Sequence, residues 1–223
     1  MTTSILRFEK VKSFTSINLS ESHIFRYSDT PNCDPNRTWL NENVIGNSNL
    51  SNRVKLIFEK LNIKPRKNAV LAMDCILSLS NDAFNSQDDI KKFKHESKIF
   101  LEKSFKGRCI SAVLHLDETT PHIHALIIPL EKKNNKWKLN ARDLFNKSTL
   151  SRYQKEFYSH MKSAFPNLSP PKYGSKASHN KIKKLYHIIN NSSINEYFSD
   201  RRNCEISCLV DNINRPNYNR PKI

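Results

Sequence analysis

His115-Leu-Asp-Glu-Thr-Thr-Pro-His122-Ile-His124 gathers three histidines and two carboxylates into ten residues. Apolar, β-prone stretches flank it, Cys109-Ile-Ser-Ala-Val-Leu114 before and Ala125-Leu-Ile-Ile-Pro-Leu130 after. His122 and His124 are two apart, so on a strand both side chains point to one face. His115 ends the preceding run, and the turn-rich Asp-Glu-Thr-Thr-Pro predicts a hairpin that folds the second strand back on the first. Three imidazoles then share one sheet face, the donor type that a divalent metal takes.

A single histidine on a strand is ordinarily a core or surface residue. Three at this spacing, with acids in the turn between them, favour a site. The spacing is not the helical His-Glu-x-x-His of zinc proteases, which needs i, i+4 ligands. Nor is it a zinc nucleobase deaminase, since both His-x-Glu and Pro-Cys-x-x-Cys are missing.

Bulk properties narrow the partner. Lys and Arg outnumber Asp and Glu by 37 to 21, a formal +16, over 223 residues of which 37% are hydrophobic. Such an excess suits a polyanion, because phosphate neutralisation releases counterions and drives association. Five cysteines at irregular spacing argue against a disulfide framework. With no apolar leader at the N-terminus and no stretch of transmembrane length, a reduced cytoplasm is the expected location.

Along the chain, residues 4–12 alternate as a first strand, and Ser20 to Arg26 reads as a short helix capped by Ser20. Thr30 to Arg37 reads as a Pro-Asx loop. Val54, Ile57, Phe58 and Leu61 share a helical face, and residues 69–79 read as a buried strand. A charged helix over 88–105 buries Ile90, Phe93, Phe100 and Leu101 and stops at Gly107. Trp137-Lys-Leu139 is a candidate short strand. A second long helix, 149–165, aligns Leu150, Tyr153, Phe157, Met161 and Ala164. A basic helix starting at Ser175 follows a loop over 166–174, and the Asn/Arg/Pro-rich residues beyond 190 form a tail expected to be partly disordered. The expected fold class is α/β of the α+β type: a central antiparallel sheet bearing the histidine metal site, with helices against its other face. Residues 1–190 form one domain and 191–223 the tail.

A basic protein with a three-histidine site points to chemistry on a phosphodiester, where a metal polarises phosphorus and stabilises the leaving hydroxyl. The nucleophile is either water or a side chain that becomes covalently attached.

The histidine signature resembles that of the MobV (Mob/Pre) plasmid mobilisation relaxases of the HUH endonuclease superfamily. His23-Ile-Phe-Arg26 is similar to that family's His-x-x-Arg motif, and Thr30-Pro-Asn-Cys-Asp-Pro35 to its Pro-loop, with Cys33 where Ala is usual. Leu139-Asn-Ala-Arg-Asp-Leu144, Leu150-Ser-Arg-Tyr-Gln154 and Gly174-Ser-Lys-Ala-Ser-His179 resemble later elements in the family's order, so the likeness spans roughly residues 4–190. Many MobV proteins continue well past the catalytic domain in helical, coiled-coil-rich segments, whereas this chain ends soon after residue 190.

The resemblance implies a site- and strand-specific DNA nickase acting at a plasmid transfer origin, with religation by the same site. Its partners would be single-stranded and hairpin DNA, and a host conjugation coupling protein. His23 would attack phosphorus and hold the 5′ end as a phosphoramidate, which needs a neutral imidazole. Arg26, one helical turn on, would orient the phosphate or stabilise its charge. His115, His122 and His124 would hold Mn²⁺ or Mg²⁺, ligand type favouring Mn²⁺. Glu118 would orient His23 or take its proton, and Asp117 would support the ligands or the turn. Asn32, Arg37, Lys176 and His179 are candidate DNA contacts. Two rival readings stay open. One is a rolling-circle replication initiator with a tyrosine nucleophile, Tyr153 or Tyr158; the other is an origin-binding protein without catalysis.

Overall fold

Five segments, β1 (Ser4–Val11), β2 (Glu42–Ile45), β3 (Ala72–Leu79), β4 (Cys109–His115) and β5 (His122–Ile127), pair antiparallel into one sheet of order β1-β3-β5-β4-β2. This is a computed structural model, and it describes residues 2–30 and 32–171. The expected basic helix from Ser175 and the tail beyond 190 lie outside the described residues. The hairpin closes as its sequence predicts, with His115 opposite His122 and Val113 opposite His124. A second, two-stranded sheet joins β6 (Leu130–Lys133) to β7 (Lys136–Leu139), so the strand expected at Trp137 forms.

The helices are α1 (Phe14–Ile24), α2 (Leu50–Lys60), α3 (Gln87–Phe105), α4 (Ala141–Leu144) and α5 (Lys147–Ala164). Helix α3 carries a full capping box, Ser86 and Asp89 each accepting the other's backbone N–H. It ends on Lys106 in the left-handed region, followed by Gly107 at φ +79°.

Side-chain alternation, broken in β4 only at the bulge between Cys109 and Ser111, divides the core in two. Leu77, Leu114, Ile123, Ala125 and Ile127 face one side, where Phe93, Phe100 and Phe105 of α3 and Phe157 and Met161 of α5 pack on them. Val113, Leu126 and Ile128 face the other, against Ile17 and Ile24 of α1 and Val54 and Phe58 of α2. By the same parity His115, His122 and His124 belong to the α1–α2 side. Helices α3 and α5 therefore cover the face opposite the histidines, as expected, and α1 and α2 also cover part of the histidine face.

Two local expectations change. The first helix begins at Phe14, capped by Ser13, whose hydroxyl accepts the Ser16 amide at 3.0 Å; Ser20 sits inside it. Its buried residues are only Ile17 and Ile24, and its Ser, Thr and Asn are indifferent helix formers, so the sequence carries a faint period. Within the Pro-Asx loop, Pro35–Leu40 winds into a 3-10 helix capped by the Asp34 carboxylate.

Helix α1 is held in place by Glu21. Its two carboxylate oxygens accept the Asn49 amide at 2.5 Å and the Leu50 amide at 2.9 Å. Asn49, in the left-handed conformation, offers no side-chain cap of its own, so Glu21 satisfies the start of α2 from the neighbouring helix. Glu21→Ala should cost about 1 kcal/mol, as loss of an N-cap does. A lowered urea midpoint with an unchanged m-value checks this.

Candidate active site

The four histidines of the two chain segments meet. Ring centroids of His115, His122 and His124 lie 5.0–5.1 Å from one another. His23, on the last turn of α1, brings its ring to 5.0 Å from His124 and 6.0 Å from His115. Donor atoms lie within 4.8 Å of one another in two overlapping sets, His23–His115–His124 and His115–Glu118–His122. The expected trio of rings converges, then, but its donor atoms are shared between sets that also take in His23 and Glu118.

Hydrogen-bond partners fix the lone pairs. His115 Nε2 lies 2.8 Å from the Ile24 carbonyl and His122 Nδ1 lies 2.8 Å from the Thr120 carbonyl. A carbonyl only accepts, so those nitrogens carry the protons, leaving lone pairs on His115 Nδ1 and His122 Nε2. His124 Nδ1 is 3.5 Å from Asp74 Oδ1, and neither atom has a hydrogen-bond partner. A proton on that Nδ1 would face the carboxylate and leave Nε2 free. Imidazoles that donate one N–H outward and keep the other nitrogen bare are how proteins present histidine to a metal, so the donor set fits a divalent ion. Asp74 is a site residue that sequence reading missed. It lies in β3, among residues that read only as a buried strand, and Ser20 Oγ donates to its other oxygen at 3.3 Å.

Arg26 organises the rest, from a position different from the one expected. The helix has ended before it: Tyr27 N–H bonds the Ser22 carbonyl at 2.8 Å and Arg26 N–H the His23 carbonyl at 3.4 Å, a Schellman closure. Arg26 occupies its left-handed position at φ +56°, where glycine is usual and a side chain costs about 1 kcal/mol. The turn points the guanidinium back into the site. Nε and Nη2 donate to the two oxygens of Asp117, each at 2.8 Å, Nη2 donates to Glu118 at 2.7 Å, and Nη1 donates to the His23 carbonyl at 2.9 Å. Nη2 also lies 3.1 Å from His115 Nδ1. With two hydrogens for three acceptors, the shorter carboxylate bonds take both, so the His115 lone pair is not committed to Arg26.

Asp117 is buried at 1% exposure. Besides Arg26 it accepts from Asn41 Nδ2 at 2.8 Å and from Thr38 Oγ1 at 3.3 Å, and its carbonyl takes the Asp34 amide at 2.8 Å. Glu118 bonds Arg26 and lies 3.9 Å from His122 Nε2; no hydrogen bond joins it to His23. Among the candidate DNA contacts, Arg37 turns inward and donates to the Leu116 carbonyl. Asn32 is partly buried in the loop that presents Asp34. Lys176 and His179 lie outside the described residues. Tyr153 and Tyr158 of α5 pack on the sheet face opposite the histidines.

Burial above all keeps His23, His115 and His122 neutral. Desolvation first, then the charges of His124 and Arg26, lower the pKa of His23 to about 4, with Glu118 and Asp74 opposing. Burial lowers His115 further and lowers His122 as well, with neighbouring His124 adding to both. Burial alone would raise the Asp117 carboxyl, but hydrogen bonds from Arg26 and Asn41 hold it well below its ordinary range. Burial also works against the Arg26 charge, and the bonds to Asp117 and Glu118 more than reverse that.

An antiparallel sheet with a histidine hairpin, faced by a helix-end histidine and a buried Arg–Asp pair, makes a candidate metal site beside a fixed positive charge. A family profile described as "plasmid recombination enzyme" (Mob_Pre) matches residues 1–187. The chain belongs to this Mob/Pre family. It is 32% identical over 175 residues to a plasmid recombination enzyme type 3 of Staphylococcus aureus, covering 73% of this chain and 41% of that protein. A 65 kDa protein of Zymomonas mobilis is 32% identical over 196 residues, 84% of this chain and 33% of that protein. The chain thus spans well under half the length of these relatives. In fold it is similar to the MobM relaxase domain, crystallised with Mn and plasmid pMV158 oriT DNA, with a TM-score of 0.73 at 23% identity over 83% of this chain and 98% of that one. Among the described residues no helix is long and apolar enough to cross a membrane.

Two outcomes follow from the site's charges. Histidines whose folded pKa is depressed bind fewer protons folded than unfolded, so their contribution to stability is full above pH 6.5 and declines as pH falls toward 4. The metal-free protein should show a falling thermal midpoint across that window, and a flat profile would contradict neutral burial. Asp117→Ala leaves the Arg26 guanidinium, 5% exposed, without its main partner. It should cost about 3–5 kcal/mol in chemical unfolding.

Proposed function

We propose that the protein nicks single-stranded DNA at a plasmid transfer origin by metal-dependent transesterification, with His23 as nucleophile and residues 1–190 as the catalytic domain. One observation carries the reading: a neutral imidazole from α1 faces a three-histidine cluster, its ring 5.0 Å from that of His124. Family membership and the oriT-bound structures of a protein with this fold support the substrate class.

In this reading the lone pair of a His23 nitrogen attacks phosphorus. A P–N bond forms, the P–O3′ bond breaks, and the 5′ strand is retained as a phosphoramidate. The proton released from the imidazole and the proton needed by the 3′ oxygen balance, so the products are the adduct and a free 3′ hydroxyl. Because the bond energy is kept in the adduct, a 3′ hydroxyl can reverse the step and religate the strand. A divalent metal held by His115, His122 and His124, Mn²⁺ in preference to Mg²⁺ on ligand type, would polarise the phosphate and stabilise the leaving oxygen.

The chain's own groups divide the remaining work. Asp74 is placed to hold the His124 tautomer. Asp117 accepts four hydrogen bonds that hold its carboxyl well below the ordinary range, which makes it a poor base, so its part is to fix Arg26. Glu118 keeps more free acceptor capacity and raises the His23 pKa through its charge, which makes it the nearer base of the two turn carboxylates. Arg26 places positive charge beside the attacking ring and is suited to the phosphate once Glu118 shifts.

Incubation with an origin-bearing single-stranded oligonucleotide and Mn²⁺ should give a covalent adduct that survives denaturing electrophoresis. His23→Ala should abolish it, a drop of at least about 10³-fold, while His124→Ala should raise the Mn²⁺ concentration needed. Undiminished adduct from His23→Ala would move the nucleophile elsewhere, with Tyr27, beside Arg26 in the chain, as the next residue to replace by Phe.

A further inference from the structure

Trp39 has no packing role that the fold requires. Its side chain is 77% exposed, the most of any large hydrophobic residue among those described. The segment that carries it, by contrast, is fixed. In the 3-10 helix Pro35–Leu40, Arg37 donates to the Leu116 carbonyl and Thr38 to the Asp117 carboxylate. Just beyond, Asn41 bonds both Asp117 Oδ2 and the Leu116 amide, each at 2.8 Å. Every anchor of this turn is therefore a residue of the histidine hairpin, directly after His115. The indole N–H is satisfied locally by the Asn36 carbonyl at 3.0 Å, which fixes the ring without covering it.

A rigid, exposed indole next to the site has few uses. A protein partner would need an interface of about 1,000 Å² or more, whereas the turn around Trp39 adds only Pro35 and the half-buried Leu40 to it beside Asn36, Arg37 and Thr38. A nucleobase needs only one ring face, and base–aromatic stacking is a standard device for holding single strands. The charge also suits it, with Arg37 two residues before Trp39 in a chain of net +16. The other tryptophan, Trp137, is 39% exposed and lines a cleft with Ile57, Leu61 and Leu130, so it has a packing role.

We propose that Trp39 is a stacking platform for a base of the single strand near the scissile phosphate, fixed in register with the site by the hydrogen bonds of its turn to Leu116 and Asp117. The inference rests on the nickase reading above. It adds a positioning residue that reads the unpaired state of the strand, since a base can lie on the indole only when it is free of its own stack.

The two tryptophans allow a direct test. In a Trp137→Phe background Trp39 is the only fluorophore of its kind, and saturating single-stranded origin oligonucleotide should quench it in step with binding followed by anisotropy. Trp39→Ala should weaken that binding about tenfold or more, Trp39→Phe should restore most of it, and the thermal midpoint should stay unchanged. An oligonucleotide carrying an abasic nucleotide at the stacked position should bind wild type as weakly as Trp39→Ala binds the intact strand, with no further loss when both changes are combined. If wild type binds and forms adduct, yet Trp39 is not quenched or Trp39→Ala binds normally, the stacking role is wrong and the nickase reading stands. If wild type neither binds single strands nor forms adduct with Mn²⁺, the nickase reading fails and takes this proposal with it.

Discussion

The buried pair of Arg26 and Asp117 is the constraint from which the rest of the site hangs. Their side chains are 5% and 0% exposed, and two parallel hydrogen bonds of 2.8 Å join them. Burying two charges costs several kcal/mol per ion, and the pair recovers that only because every neighbouring group completes it. Asn41 and Thr38 add two further bonds to Asp117 Oδ2, while the His23 carbonyl and Glu118 take further guanidinium hydrogens. Three chain segments are thereby tied to one point: the end of α1, the 3-10 turn with Asn41 after it, and the hairpin turn that follows β4. Such a pair adds little net stability over an apolar substitute, but it tolerates only one arrangement of those segments.

That single arrangement is what the proposed chemistry requires. An imidazole attacking phosphorus has to be placed to within a fraction of an ångström, and here the attacking group and its clamp come from segments about ninety residues apart in the chain. The strand side of the site is rigid because β5 is the central strand of five. The helix side depends on tertiary ties: Glu21 to α2, His115 Nε2 to the Ile24 carbonyl, and Arg26 to the His23 carbonyl. Burial that depresses the histidines serves the same end, since a protonated imidazole can neither attack nor ligate.

What was legible in the sequence follows from how locally each feature is encoded. The hairpin could be read because period two and a Pro-bearing turn lie within ten consecutive residues. Helices α3 and α5 could be read because their apolar residues recur over five turns. Helix α1 was set too short because two isoleucines seven apart are its whole buried face, and β2 was passed over because Glu42-Asn-Val-Ile45 is a four-residue edge strand. Asp74 stands in an otherwise largely apolar strand, where no local pattern marks it as a site residue. Only the pairing of β3 with β5, which puts it on the histidine face, gives it a partner. The left-handed Arg26 was hidden for another reason: non-glycine residues at such positions are held there by tertiary contacts that no local pattern records.

Sheet parity also bears on which residue type can attack. Side chains alternate along β4 and β5 at the hairpin, so the histidines and the α3–α5 layer are on opposite sides of the sheet. Tyr153 and Tyr158 would have to pass through that sheet to reach a phosphate bound at the cluster, and Tyr153 is already packed among Phe8, Phe105 and Phe145. Bringing histidines and tyrosines onto one face would take a one-residue register shift, which would turn Leu114, Ile123 and Ile127 toward α1 and α2 and bury the histidines in the aromatic layer. No such compromise is available to a sheet with both faces committed. On the proposed reading the nucleophile therefore comes not from α5 but from α1, where the His23 ring already faces the cluster.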